Sequence, residues 1–248
     1  VNSPDDYILA AFLQACTPLI AGIFSIVWLR KNYTGLFKWP TIGAIINSYK
    51  EGWSIFVSSL AVNLYTATNV VVLGMLTNNV IVGYYSAADK LITCVRRGIY
   101  AVSDAIYPFI SKMMKDDISK GLQFIKKQIF LYLVVGLIGC TSLFFFSDTI
   151  VKLLFGADYN LTVDVLRILS FVPLAVAIST VFGEETMLPL NMNSAYSRTL
   201  VLAAFFSLLS IFPLCYLWGA EGVAMTMLLT EFLIMIIMGG LLRKQLFQ

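Results

Sequence analysis

Charged and hydroxyl-bearing side chains gather in one otherwise apolar stretch, which reads VIVGYYSAADKLITCVRRGIYAVSDAIYPFISK. Five ionisable residues lie in its interior, namely Asp89, Lys90, Arg96, Arg97 and Asp104. An ionisable side chain near the centre of a bilayer costs about 2.5 to 3.5 kcal/mol on insertion scales, so such residues usually face a protein interior or a wet cavity. This stretch is therefore the first place in the chain to look for chemistry.

Helical spacing, at about 100° per residue, sorts these residues onto one face. That face contains Tyr85, Asp89, Thr93, Arg96, Tyr100, Ser103 and Tyr107, with Arg97 and Asp104 on its flank. The preceding segment carries Ser59, Asn63 and Thr66 at helical spacing. We interpret the two segments as helices that line a polar central cavity. The alternative is that the same residue types form interhelical ion pairs and hydrogen bonds.

The composition is that of a membrane protein. Of the 248 residues, 59% are hydrophobic and 12% are charged, which excludes a water-soluble domain with a charged surface. The net charge is +3, and the sequence has no nucleic-acid-binding motif. Histidine is absent, which excludes His-based catalytic triads and the commonest zinc sites. The four cysteines lie in apolar segments without metal-like spacing, and no phosphate-binding G-x-x-x-x-G-K-S/T motif is present.

Apolar spans predict an all-α fold, a polytopic membrane helix bundle with about seven transmembrane helices. The predicted spans are residues 7–29, 53–76, 80–110, 129–146, 163–182, 200–218 and 220–242. The third is longer than a bilayer requires, so it must tilt or break, and Gly83, Gly98 and Pro108 are the candidates for a break.

Basic residues predict the orientation of these helices. If the loop after the first span is cytoplasmic, most Lys and Arg residues fall on the inside and only Lys152 lies in an outer loop. The C-terminus is then cytoplasmic and the N-terminal stub external. Residues 30–52 are predicted to be cytoplasmic, either lying along the membrane interface or forming a plain basic tether.

Acidic residues elsewhere give further candidates. Glu231 lies inside the last span and is a candidate for binding a coupling ion. Glu184 and Glu185 begin the connection GEETMLPLNMNSAYSR, where they could gate or couple to an ion, although we favour a solvated loop. The segment SDTIVKLLFGADYNLTVDVLR is predicted to be a long external connection with a short interfacial helix before Gly156.

Three stretches resemble one family of membrane proteins. The run EGWSIFVSSLAVNLYTATNVVVLGMLTNNVIVGYYSAADKLI is similar to the central signature of bacterial O-antigen flippases, in the polysaccharide branch of the multidrug, oligosaccharidyl-lipid and polysaccharide exporters. The stretches VLRILSFVPLAVAISTVFGEETMLPLNMNSAYSR and LWGAEGVAMTMLLTEF resemble later helices of the same family. The resemblance covers the chain from about Asp6 onward.

The resemblance implies a transporter of two helix bundles in the bacterial inner membrane, with about twelve helices in all. Residues 1–29 would hold an external stub and the last helix of the first bundle, residues 30–52 the cytoplasmic linker, and residues 53–248 the six helices of the second bundle. Because the sequence opens VNSPDDY, without an initiator Met or the positive region of a signal peptide, we expect a C-terminal fragment.

The family also implies a cargo and partners. Its members move an undecaprenyl-pyrophosphate-linked oligosaccharide, the O-antigen repeat unit, from the inner to the outer leaflet by alternating access. The expected partners are this lipid-linked cargo, membrane lipid, a coupling proton or sodium ion, and the O-antigen polymerase and ligase machinery. No cofactor, metal, enzymatic activity or nucleic acid is expected.

With that cargo, the polar residues receive provisional roles. Arginine offers a planar fork and lysine a point charge to a pyrophosphate or acidic sugar, which the resemblance assigns to Lys90, Arg96 and Arg97. Sugar hydroxyls and ring faces are expected to contact Tyr85, Tyr100, Tyr107 and Asn63. Ion coupling is expected at Asp89, Asp104 and Glu231, and the two aspartates could instead pair with the cations when the site is empty.

Two alternative functions stay open. A multidrug or organic-cation antiporter of the same superfamily would favour carboxylates and aromatic residues, whereas this helix carries three basic residues against two acidic ones in its interior. A membrane-embedded polysaccharide polymerase or ligase would need a large outer loop, and only the connection after Phe146 is long.

Overall fold

A computed structural model describes residues 7–32, 40–156 and 158–247 of the chain. These residues form helices joined by short connections, which confirms the predicted all-α fold. The α-helices are α1 (Tyr7–Asn32), α2 (Ile42–Leu76), α3 (Asn79–Asp116), α4 (Ile118–Phe155), α5 (Asn160–Leu169), α6 (Val172–Phe182) and α7 (Asn193–Phe247). A single π-helical turn (Gly183–Met187) follows α6 directly. The N-terminal stub and part of the predicted linker, residues 1–6 and 33–39, lie outside the described residues.

The chain divides into two compact units, Val1–Lys50 and Glu51–Gln248. In the first unit, α1 contains Pro18 and carries Arg30 and Lys31 in its last turn. Cations at this end of a helix interact favourably with the backbone dipole. The second unit contains the polar stripe identified from the sequence, and the site described below lies entirely within it.

Four segments of the described chain are long and apolar enough to cross a membrane, namely Gly52–Leu76, Ile118–Phe155, Asn160–Met187 and Asn193–Arg243. The third segment combines α5, α6 and the π-helical turn. Charged residues interrupt the apolar sequence of α3, which nevertheless runs as one helix from Asn79 to Asp116 with Pro108 inside it. The excess length of this helix is therefore accommodated without a break.

Helix α7 makes two passes because it bends sharply at Gly219. This residue has φ 54° and ψ −126°, a conformation that is accessible to glycine and strained for other residues. A Cβ atom on Gly222 would overlap the backbone carbonyl of Leu214, so the two halves of α7, residues 193–218 and 220–247, can approach closely only with glycine there. The predicted boundary between the last two spans coincides with this bend.

The predicted external connection is wrong in its length. Helix α4 continues through Leu153 and Leu154 to Phe155, so these residues form its last turn rather than a separate interfacial helix. The helix ends at Gly156, which has φ 97°, and α5 begins at Asn160. An apolar sequence with good helix formers extends a helix until a residue with positive φ stops it.

Packing of α2 to α7 buries two large apolar clusters. One contains Leu73, Tyr85, Ile92, Leu166 and Met227, and the other contains Tyr65, Ile110, Ile125, Met187 and Met238. Many large apolar side chains of α4 face outward instead, as expected for a helix surface that contacts lipid.

Candidate functional site

A cavity of about 730 Å³ lies between α2, α3, the π-helical turn and the start of α7, and is called the central cavity below. Five of the residues predicted from the sequence line it, namely Asn63, Arg96, Arg97, Tyr100 and Asp104. The remainder of the wall is formed by Ser58, Ser59, Val62, Thr66, Thr93, Glu184, Tyr196 and Leu200. The polar faces of α2 and α3 thus meet across one open space.

A second cavity of about 330 Å³ adjoins the first and is called the mouth cavity below. The two share Ser58, Ser59, Asp104, Glu184 and Tyr196. The mouth cavity adds Tyr107, another predicted residue, which lies closer to the C-terminal end of α3. The polar stripe from Arg96 to Tyr107 therefore borders one continuous region.

Arg96 connects the central cavity with the second half of α7. Its Nη2 atom lies 3.7 Å from Oε1 of Glu231, and the hydroxyl of Tyr65 donates to the same oxygen at 3.0 Å. The side chains of Arg96 and Glu231 are only 10% and 3% exposed. The Nε atom of Arg96 has no hydrogen-bond partner, so the guanidinium is held by Glu231 and still has a free donor.

Glu231 borders a small chamber of about 50 Å³ on the far side of this ion pair. Its polar lining comes from Tyr65, Tyr100, Ser179, Thr180, Glu184 and Tyr196. A chamber of this size has room for one water molecule or a small ion, and its walls offer oxygen ligands. Tyr100, Glu184 and Tyr196 also line the central cavity, so the two spaces are neighbours.

Three predicted residues lie elsewhere. Tyr85 is 1% exposed, belongs to the first apolar cluster, and its hydroxyl lies 3.9 Å from the sulfur of Met227. Asp89 is half-buried, and it interacts electrostatically with Arg96 and Tyr85. Lys90 is exposed and is not among the residues that line these cavities.

Glu184 and Tyr196 are cavity residues that the sequence analysis did not select. The interpretation of Glu184 and Glu185 as part of a solvated loop is wrong, because Glu184 is half-buried in the cavity wall and Glu185 is fully buried. The helix of α6 continues into the π-helical turn instead of ending before these residues. The uninterrupted apolar run VPLAVAISTVF directly before them was the available signal for this continuation.

Charge is unevenly distributed in the central cavity. Arg96 and Arg97 lie near the middle of α3, whereas the carboxylates of Asp104 and Glu184 lie where the central and mouth cavities meet. An anionic group would find charge-assisted hydrogen bonds at the arginine end. Hydroxyl and amide groups from Ser58, Ser59 and Asn63 face the same space and could bind sugar hydroxyls.

The sequence is similar to a known family and to two curated proteins. Residues 1–114 match the family described as "Polysaccharide biosynthesis protein". The chain is 31% identical over 238 residues to a Shigella dysenteriae protein named "Putative O-antigen transporter", covering 96% of this chain and 59% of that protein. An Escherichia coli K12 protein of the same name is 31% identical over 240 residues, covering 94% of this chain and 56% of that protein.

The chain thus spans little more than half the length of these curated relatives. No solved structure matches it. The predicted resemblance to O-antigen and polysaccharide transporters is confirmed by both kinds of match. With the four apolar segments, the likeness also confirms a multi-pass membrane protein, which in a bacterium belongs to the inner membrane.

Proposed function

Starting from a chain that resembles polysaccharide transporters along 96% of its length, we propose that it forms part of a flippase for lipid-linked oligosaccharides. The proposed cargo is an undecaprenyl-pyrophosphate-linked O-antigen repeat unit, moved from the inner to the outer leaflet by alternating access. The names of the relatives refer to transport and not to catalysis, which favours a transporter over a polymerase or ligase.

The observation that carries this proposal is the pair of arginines in a cavity that also offers neutral polar groups. Moving a pyrophosphate through hydrocarbon is costly unless its charge is compensated and its oxygens are hydrogen-bonded. Arg96 and Arg97 supply charged donors at mid-helix, and Tyr100 and Asn63 face the same cavity. The prenyl tail needs no such compensation and can remain in lipid while the headgroup crosses.

The roles follow from the contacts. In the empty site, Glu231 and Tyr65 hold Arg96 in place. An arriving pyrophosphate takes the free donors of Arg96 together with Arg97, and the sugars lie towards Ser58, Ser59 and Asn63. With the orientation predicted from the basic residues, the mouth cavity opens to the cytoplasm, where the cargo is loaded. Asp104, Glu231 and Asp89 remain our candidates for ion coupling.

In cells, the test is the leaflet in which the cargo accumulates. A strain lacking the complete protein is complemented with wild type, Arg97→Ala or the double variant Arg96→Ala/Arg97→Ala. We expect surface O-antigen to fall by about tenfold or more, because a lost charge-assisted hydrogen bond is worth about 1.5 to 3 kcal/mol. Lipid-linked repeat units should accumulate on the inner leaflet.

The matched control is Lys152→Ala, which also removes one positive charge. Lys152 pairs with Asp148 on the exposed surface of α4, away from the cavities. This variant should keep wild-type surface O-antigen. If the arginine variants also kept it, the proposed cargo site would be wrong.

A second candidate function is export of organic cations. The observation in its favour is that Asp104 and Glu184 face the same cavity as the two arginines. Transport of a fluorescent organic cation by the complete protein, lost in Asp104→Asn and kept in Arg97→Ala, would favour this function over the first.

A further inference from the structure

A cluster of buried polar groups lies outside the cavities described above. Glu185, on the π-helical turn, is fully buried. The hydroxyl of Ser103 on α3 donates to its Oε1 atom at 2.6 Å. The second carboxylate oxygen, Oε2, is buried and has no hydrogen-bond partner within the described chain.

Two residues of α4 complete what we call the Glu185 cluster, which consists of Ser103, Gln128, Tyr132 and Glu185. Gln128 is 6% exposed, and both atoms of its amide group are buried without a partner. The hydroxyl of Tyr132 is also buried without a partner. Glu185 interacts electrostatically with Gln128 and with Tyr132, and Gln128 also interacts with Tyr132, so the three side chains are neighbours.

Four unpaired polar atoms in one place require an explanation. Buried polar atoms in native proteins are nearly always hydrogen-bonded, and exceptions often mark a bound water or ion. The groups are close enough to interact and too far apart, or too poorly aligned, to form hydrogen bonds with one another in this conformation. A small occupant between them would pair all of them.

The local charge indicates the sign of that occupant. Within the described ranges, Glu185 takes part in no ion pair. The groups that face it are neutral, namely Ser103 from α3 and Gln128 and Tyr132 from α4, and its neighbour on the turn is Glu184. Asp104 of α3 also acts on Glu184, which adds negative charge nearby. A buried carboxylate without a counter-charge is unfavourable, so the site attracts a cation.

We propose that the Glu185 cluster binds a monovalent cation, a proton or a sodium ion. A proton on Oε2 donates to Oε1 of Gln128, and Nε2 of Gln128 then donates to the hydroxyl of Tyr132. A sodium ion would take Oε2, Oε1 of Gln128 and the Tyr132 hydroxyl as ligands, which are the hard oxygen donors that such ions prefer. In both cases a single positive charge satisfies the group that lacks partners.

The position of the cluster links this site to the cargo cavity. Glu185 is joined to α3 through Ser103 and lies next to Glu184, which lines the central and mouth cavities. Binding or release of the cation changes the contacts between the π-helical turn, α3 and α4. The use of the cation in coupling rests on the proposed transport function, whereas the binding itself does not.

The test measures cation binding by the purified complete protein in detergent micelles. One arm measures binding of radioactive sodium at alkaline pH, and the other records the infrared band of protonated carboxyl groups as a function of pH. We expect Glu185→Gln either to weaken sodium binding by about tenfold or more, as for a lost charged ligand, or to remove a carboxylic acid band. The first outcome assigns sodium and the second assigns a proton.

Two further variants keep the test decisive. Gln128→Leu removes one proposed ligand and keeps Glu185, so it should weaken sodium binding or shift the carboxyl band, even if Glu185→Gln folds poorly. Glu231→Gln should leave the signal of the Glu185 cluster in place. Sodium binding and carboxyl bands that are the same in wild type, Glu185→Gln and Gln128→Leu would overturn the proposal. Because no lipid cargo is present, that result would leave the proposed transport function standing.

Discussion

Arg96 shows how one buried residue can serve both packing and binding. Its guanidinium is held by a carboxylate at 3.7 Å, and the Nε atom keeps an unused donor. One carboxylate cannot satisfy the five donors of a guanidinium, so a buried Arg with a single acidic partner has capacity for a second anion. The contact with Glu231 therefore positions Arg96 without saturating it.

The first prediction concerns this ion pair. Glu231→Leu or Arg96→Met leaves one buried charge without its partner, which should lower the free energy of unfolding by about 3 to 5 kcal/mol. The double variant Arg96→Met/Glu231→Leu should be close to wild type in stability, because both charges are gone. Thermal unfolding of the complete protein in micelles gives all three values. Single-variant effects that simply add in the double variant would contradict the pairing.

The second prediction separates two tyrosines of the same predicted face. Tyr85 is buried among apolar residues and Tyr100 lines the central cavity. Tyr85→Phe should leave transport unchanged, whereas Tyr100→Phe should reduce transport of the lipid-linked cargo at unchanged expression. Equal losses in both variants would mean that the stripe acts as a whole.

Sequence periodicity identified the polar face of α3 but not how its surroundings change along the helix. From Tyr85 to Tyr107 the helix advances about 33 Å at about 1.5 Å per residue. Near Tyr85 that face packs against α5 and α7, whereas near Arg96 and Tyr100 it borders the cavity. The angle around a helix is encoded in local spacing, but the neighbour at each height depends on the tertiary structure.

Among the elements, α7 depends on a bend that only glycine permits. The third prediction is that Gly222→Ala strongly destabilises the protein, because a Cβ there overlaps the carbonyl of Leu214. Gly240→Ala is the control, since a Cβ at Gly240 meets nothing within 4 Å and alanine favours helix by roughly 0.5 to 1 kcal/mol. Expression and thermal unfolding should fall sharply for Gly222→Ala alone. Similar stability of the two variants would show that the halves of α7 do not approach as described.

The connection between α3 and α4 consists of one residue, Asp117, which ends α3 and caps α4. Its carboxylate accepts hydrogen bonds from the backbone N–H groups of Ser119 and Lys120, at 2.9 and 3.3 Å. Hydrogen bonding from the Lys120 backbone, more than any other interaction, lowers the pKa of Asp117 below its ordinary value. The ionised form is therefore the one that caps the helix.

The fourth prediction follows from the sign of this shift. A carboxylate whose pKa is lower in the folded state contributes stability above the unfolded pKa of about 3.9, and loses it as the pH falls through the folded value. Asp117→Ala should therefore lower the melting temperature at neutral pH, and its difference from wild type should shrink in acid. A difference that stayed constant with pH would mean that Asp117 does not cap as an anion.

The helices could be predicted from apolar spans, whereas the π-helical turn could not. An i to i+5 hydrogen bond joins Leu188 to Gly183, and a Cβ on Gly183 would press against Tyr196 and Met238. The turn thus depends on close packing by residues of α7 that are distant in sequence. The same packing buries Glu185 and carries Glu184 to the cavity, which explains why both were assigned to a loop.

At the scale of the molecule, the central and mouth cavities place arginines at mid-helix and carboxylates nearer the predicted cytoplasmic side. This order suits a cargo whose charged end must travel deepest while its neutral sugars follow. The relatives are longer than this chain, so the remainder of the transport path belongs to the complete protein.

The orientation itself is the fifth prediction. In intact cells, a cysteine introduced at Lys152 should react with an impermeant thiol reagent added outside, and one introduced at Lys120 should not. The distribution of basic residues predicts this result. The reverse labelling would place the mouth cavity on the outer side and exclude loading from the cytoplasm.

The most direct test of the central claim is the affinity of the purified complete protein for the lipid-linked pyrophosphate headgroup. Wild type and Lys152→Ala should bind a fluorescent undecaprenyl-pyrophosphate oligosaccharide equally well, and Arg96→Ala/Arg97→Ala should bind it about a hundredfold more weakly, as expected for two lost charged contacts. Equal affinity in all three proteins would contradict a pyrophosphate site at Arg96 and Arg97.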